Sequence, residues 1–179
     1  ETHNYQEIAV ISVEINNQKK SKEIANIILH IPYPVVLILI YKEQIQINIS
    51  PKRLNITDVT KLVLEEQYYT KWIDTNNLTE LSSEFLSSLD SINHPFTNFK
   101  DFFTSLVKSI IAFNASEISG KFESKEDIRL LLQDIKNIEA IIQDMKSKIQ
   151  KETNFNDKVK LNIDLKTQKD KLEKLKEKL

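Results

Sequence analysis

The sequence predicts an α+β (or α/β) fold: a small mixed sheet covered by helices, followed by a long C-terminal antiparallel helical hairpin of coiled-coil type. Three observations carry this. Residues 5–73 hold apolar runs at strand period with one helical interruption. Phenylalanines recur at helical spacing between residues 98 and 113. From Ile128 onward Ile and Leu recur at heptad spacing. The 179-residue chain therefore divides into a core, 1–120, and a hairpin, 121–179. At 40% hydrophobic and 28% charged residues the composition is globular rather than disordered. One glycine argues against collagenous and many-turned all-β architectures. The absence of cysteine excludes a disulfide framework, thiolate catalysis and Cys-ligated metal sites.

Glu7–Ile15 (EIAVISVEI) is β-branched and nearly continuously apolar, so it reads as a strand buried on both faces for much of its length. Ser21 is a suitable N-cap for a helix carrying Ile24, Ile27, Ile28 and Ile31, which Pro32 ends. Pro34–Tyr41 (PVVLILIY) reads as a central strand. Gln44–Ile49 (QIQINI) alternates strictly, which predicts a strand with one wet face, joined to the preceding one as a hairpin. Lys61–Ile73 (KLVLEEQYYTKWI) adds one further strand ending in an aromatic cluster. If the first two strands are parallel, a right-handed crossover puts the helix on one face.

Thr79 or Ser82 can cap a helix ending near Asp90. A stronger helix follows over Asn98–Phe113, with Phe99, Phe102, Phe103, Leu106, Ile110 and Phe113 as its buried stripe, and Gly120 suits the break after it. The hairpin seam is read in two parts: Ile128, Leu131, Ile135, Ile138, Ile142, Met145 and Ile149, then Leu161, Leu165, Gln168, Leu172, Leu175 and Leu179. Both alternate spacings of three and four. The polar stretch Lys151–Asp157 separates them. A lone Gln168 at a seam position is of the kind that sets register.

The net charge is −1, with Lys+Arg 25 against Asp+Glu 26. A globally basic nucleic-acid surface is thus absent, although residues 1–120 carry −4 and residues 121–179 carry +3. The longest strongly apolar run, Ile31–Tyr41, falls short of the ~20 residues that a membrane span needs, so no membrane is expected. The chain starts at Glu1 and reads as trimmed at its N-terminus. Its Ile, Lys and Asn bias suggests an AT-rich bacterial genome and a cytoplasmic protein.

Catalytic patterns are missing. His3, His30 and His94 stand at no metal-ligand spacing, and one glycine cannot build a phosphate loop. Glu7, Glu14, Glu65 and Glu66 are the carboxylates on expected core strands. A restriction-type nuclease would add Glu-x-Lys to hold Mg²⁺ and polarise water, and none occurs on those strands. No cofactor or metal is expected. Tyr68, Tyr69, Thr70 and Trp72 are candidate contacts for a partner or for nucleic-acid bases, weighed against plain packing at a strand end. Lys166 and Lys169 head a lysine-rich helix face interleaved with acids, which reads first as solvated surface and second as a phosphate contact.

Glu7–Ile15, the Ile31-Pro32-Tyr33-Pro34 entry into VVLILIY, the Tyr68–Ile73 segment and the Lys/Glu-rich terminal helices together resemble domain-of-unknown-function family 4391. The resemblance spans nearly the whole chain, although Lys71 stands where the family usually has an acid. It implies a bacterial protein encoded beside DNA helicases and methyltransferases in restriction or phage-defence clusters, and it supplies no catalytic residues. The expectation is a non-enzymatic accessory or scaffold protein of such a DNA module. Its hairpin would dock a helicase or methyltransferase subunit or a second copy. The alternative is a divergent metal-dependent nuclease or nucleic-acid-binding subunit of the same kind of module.

Overall fold

The structure, a computed structural model, describes residues 5–55, 57, 62–122 and 128–179. His3 and Lys61 lie outside them. The chain divides into two compact units, Glu1–Asn114 with Phe122–Ser124, and Ala115–Lys121 with Lys125–Leu179.

In the first unit, β1 (Ala9–Glu14) leads through a 3-10 turn, Gln18–Lys20, into α1 (Ser21–Leu29) and β2 (Val35–Tyr41). β1 and β2 are parallel. β3 (Gln44–Ser50) returns antiparallel to β2 through Lys42-Glu43. Lys42 closes that turn at φ 52, a left-handed conformation that costs a non-glycine residue about 1 kcal/mol. Next come β4 (Lys52–Leu54), β5 (Leu62–Leu64), β6 (Tyr68–Tyr69) and β7 (Ile73–Asp74). The main sheet has the order β1-β2-β3-β6, with β7 also on β3, while β4 and β5 pair with each other. The mixed sheet expected from the sequence is present.

Register assigns the faces, because residues directly opposite across an antiparallel pair point the same way. Ala9, Ile11 and Val13 lie beside Val35, Leu37 and Leu39 under α1, which contributes Ala25 and Leu29. Fully burying one such aliphatic side chain is worth about 1.5–3 kcal/mol, so this cluster holds α1 to the sheet. The other face buries Ile47, Ile49 and Ile73. α2 (Glu80–Ser88) and α3 (Phe99–Ser119) complete the helices of this part of the chain. Phe85 of α2 stacks on Phe113 of α3 with centroids 4.3 Å apart. Phe103 meets Tyr5 edge-on at 5.4 Å.

Several expectations are corrected. β1 is not buried on both faces: it is an edge strand, and Val10 is 68% exposed. Ser21 is the first residue of α1, whose N-cap, Lys20, makes no side-chain capping bond; Asn17 caps the preceding 3-10 turn, accepting from Lys19 N at 3.0 Å. α1 stops at Leu29, short of Ile31. The predicted strand over Lys61–Ile73 is three short ones, because Glu65–Gln67 and Thr70–Trp72 leave the ladder. The polar face of β3 is dry rather than wet: Gln46, Asn48 and Ser50 are buried. Phe99 is 40% exposed and outside the buried stripe, to which Val107, Ile111 and Ala112 belong instead. α3 also runs on past Phe113.

The second unit holds α4 (Ile128–Lys151) and α5 (Phe155–Lys176), packed together. Asn154 caps α5, accepting from Asn156 N at 2.9 Å. Ile128, Ile135, Ile138 and Ile142 are buried, and Leu131, Met145 and Ile149 are half-buried. On α5, Leu161, Leu165, Gln168, Leu172 and Leu175 are half-buried, as is Leu179 beyond its end, and nearly every other position is exposed. The hairpin is offset. A symmetric return from the link would bring Lys176 near position 130, yet its Nζ lies 3.6 Å from Glu139 Oε1. At 1.5 Å per residue α5 is slid along α4 by roughly two turns. In keeping with this, residues 153–160 are all exposed.

Candidate functional site

The aromatic segment sits where β6 and β7 flank a gap on β3. Tyr68 is opposite Ile49 and Tyr69 opposite Asn48. In the gap, Thr70 is fully buried. Its hydroxyl accepts from Ile47 N at 3.1 Å, its own N–H donates to Ile47 O at 3.0 Å, and its carbonyl accepts from Gln46 Nε2 at 3.0 Å. The threonine side chain thus stands in for a strand carbonyl where the ladder is broken. Tyr68 donates its hydroxyl to Glu66 Oε2 at 2.8 Å. Trp72 packs on the α1 cluster and meets Tyr41 edge-on at 6.3 Å. Tyr69 remains 40% exposed, and its carbonyl accepts from Asn114 Nδ2 at 3.0 Å. The structure therefore brings Tyr68, Tyr69, Thr70 and Trp72 together along β3, with Tyr68 on the Ile49 face of the sheet and Tyr69 and Trp72 on the α1 face. Lys166 and Lys169 are exposed on α5, in the other unit.

A buried polar row, invisible to hydropathy, adjoins this segment. Asn48 Nδ2 approaches Gln46 Oε1 at 3.5 Å, and Gln67 Nε2 donates to Asn48 Oδ1 at 3.4 Å. Ser50 Oγ stands 3.3 Å from the carbonyls of Glu65 and Glu66. The row ends at Lys52, which is 2% exposed. Lys52 Nζ donates to the Ile31 carbonyl. Tyr5 hydroxyl accepts from Lys52 N at 2.8 Å and donates to Lys52 O at 3.0 Å. Burial lowers the Lys52 pKa to about 8 and raises that of Tyr5. The sequence gives no periodic signal for this, since one lysine after a strand looks like any surface lysine.

The carboxylates do not converge. Glu65 lies 3.9 Å from Arg53, Glu66 holds Tyr68, and Glu14 ends β1. Glu14, Ile15, Asn16, Tyr41 and Lys42 line an open cleft of about 510 Å³ at the carboxyl ends of β1 and β2. One carboxylate and one ammonium give it neither a paired acid and base nor a metal set. Among the described residues no group of three His, Asp or Glu side chains could hold a metal ion. His94 is buried, with Nδ1 2.8 Å from Ser105 Oγ and Nε2 without a partner, and burial lowers its pKa. His30 Nδ1 bonds the Asn26 carbonyl one turn back. Among the described residues no helix is long and apolar enough to cross a membrane.

A family model for a domain of unknown function, DUF4391, matches residues 1–172. The chain belongs to the DUF4391 family. Most of the structure falls within that match, including the sheet, the α1 crossover, the Thr70 gap and nearly all of α5. No curated protein and no solved structure matches the chain.

Proposed function

We propose that this DUF4391 protein is a non-enzymatic accessory subunit of a bacterial restriction or phage-defence DNA module, and that it docks a helicase or methyltransferase subunit through its helical hairpin. The observation that carries the docking is a ridge on α5. Phe155, Val159 and Ile163 are 77%, 42% and 61% exposed and follow one another at four-residue intervals. They lie on the side of α5 opposite Leu161 and Leu165, which face the seam. Anchors one turn apart on a helix are the pattern by which an apolar groove captures a helix, and exposed apolar side chains in a row mark interaction sites more than isolated ones do. The kind of module is the company implied by the family resemblance.

The test is an affinity pull-down of the full-length protein expressed from its own gene cluster, repeated at high salt. The expected result is salt-resistant recovery of a helicase or methyltransferase, lost in the variant Phe155→Lys, Val159→Lys, Ile163→Lys. All three positions are exposed, so the variant is expected to keep the wild-type circular dichroism. Recovery of no partner, or undiminished recovery with the variant, refutes the reading. A catch of nucleic acid that disappears at high salt would favour the nucleic-acid alternative.

A further inference from the structure

The outer edge of β1 has no strand beside it among the described residues: β1 pairs only with β2. Ala9 N bonds Pro34 O and Ile15 N bonds Ile40 O. Ala9, Ile11, Val13 and Ile15 therefore spend their main-chain groups on β2, and Val10, Ser12 and Glu14 turn theirs outward. Natural edge strands are usually blunted by lysine, proline or a bulge. Ala9–Glu14 (AVISVE) contains neither lysine nor proline, and its ladder with β2 runs without a bulge. The edge also has an apolar rim. In a right-handed β–α–β crossover, the burial of Ala25 and Leu29 turns Ile24 and Ile28 toward the outer side of β1, and Lys22 and Asn26 toward β3, while Ile27 points away from the sheet. On that rim Ile11, Val13, Ile24 and Ile28 are only half-buried.

We propose that this edge is a self-association surface, and that it takes the β1 strand of a second copy of this chain, antiparallel and centred on Ser12. The parity of the outward groups allows a two-fold antiparallel pairing centred on Ile11 or on Ser12. Neither sets carboxylate against carboxylate. The Ser12 centre sets Ile11 opposite Val13 and Ala9 opposite Ile15 of the second copy, so one apolar row continues through both sheets. The Ile11 centre would instead set Ile15 against Glu7. The same axis brings the Ile24 and Ile28 flanks of the two α1 helices together above the joined strands. A two-fold interface needs one patch complementary to itself, and β1 with the outer flank of α1 meets that condition. This surface is distinct from the α5 ridge, and its test separates the two.

The chain has no cysteine, so Ser12→Cys introduces a single reporter. In a Ser12-centred pair the two Cα atoms stand about 5.5 Å apart, within disulfide reach. The expected results are a dimer in sedimentation velocity, rapid oxidative crosslinking of Ser12→Cys, and at least tenfold weaker dimerisation in Ser12→Lys, which sets two ammonium groups directly opposite each other, with unchanged circular dichroism because Ser12 is exposed. Ile92, 85% exposed, supplies the control as Ile92→Cys, which is expected to crosslink slowly. A monomer at all attainable concentrations overturns the proposal. So does a Ser12→Cys chain that crosslinks no faster than the control, or a dimer that resists Ser12→Lys but dissociates in the α5 ridge variant.

Discussion

Replacing Lys52 with methionine tests whether its ammonium is a burden that the fold carries. Lys52 is 2% exposed, and burial takes its pKa from 10.5 to about 8. Each tenfold change in a protonation equilibrium is about 1.4 kcal/mol, so keeping this lysine charged in the fold costs about 3 kcal/mol. The sign follows from proton counting. Between pH 8 and 10.5 the unfolded chain binds more protons at this site than the folded one, so stability rises with pH across that window. Below pH 8 both states are charged and the whole cost is present. Lys52→Met removes the charge and keeps the length of the side chain. It also leaves the Ile31 carbonyl satisfied, because Tyr33 N donates to it at 2.8 Å. The two bonds of Tyr5 go to the Lys52 main chain and survive the change.

The expected outcome is a variant at least as stable as wild type at pH 7, whose advantage shrinks as the pH rises toward 9.5. The assay is urea unfolding of both proteins at several pH values up to 9.5. Going no higher keeps Tyr5 protonated, since burial raises its pKa above 10.0. A variant that loses more than about 1 kcal/mol at pH 7, the worth of an ordinary hydrogen bond, would refute the reasoning. So would two stability curves that run parallel in pH.

Thr70→Val keeps the shape and deletes the acceptor for Ile47 N–H, so it is expected to cost about 1–3 kcal/mol in urea unfolding, while Thr70→Ser costs less. His94→Phe is expected to flatten the acid side of the stability curve. The folded-state pKa of His94 is depressed by burial from 6.5, so wild type loses stability as the pH falls through 6.5 and the unfolded chain takes up the proton first. Thr79→Ala removes the acceptor of Ser82 N–H at 3.1 Å and should lower stability by about 1 kcal/mol; thermal unfolding reads this directly.

The legible parts of this fold are those written in period. The heptads of α4 and α5, the unbroken apolar run of β2 and the alternation in β3 each repeat one residue class at one spacing. The illegible parts depend on partners distant in sequence. Nothing local reveals that Gln46, Asn48 and Ser50 are dry, because what dries them is the arrival of Gln67, Thr70 and the Glu65–Glu66 carbonyls from later in the chain. The break at Thr70–Trp72 hides in a run whose β propensity continues through it. β1 reads as buried on both faces because propensity does not report neighbours: only the strand order makes it an edge. The offset of α5 likewise depends on the link geometry, which seven polar or aromatic residues do not specify. The Tyr68–Trp72 candidates were visible as residues, whereas the Thr70 bonds and the buried Lys52 beside them were not.

The buried polar row also solves a problem of ambiguity. On the face of β3 away from α1, Ile45, Ile47 and Ile49 are identical, so sliding the strand by two residues leaves that face almost unchanged and apolar packing alone cannot tell the registers apart. The amide and hydroxyl groups can. Gln46 must find the Thr70 carbonyl, Asn48 must find Gln67 and Ser50 must find the Glu65–Glu66 turn, and a slipped strand would bury each of them without its mate. Three isoleucines supply adhesion without an address, and the row beside them, with no two neighbours alike, supplies the address.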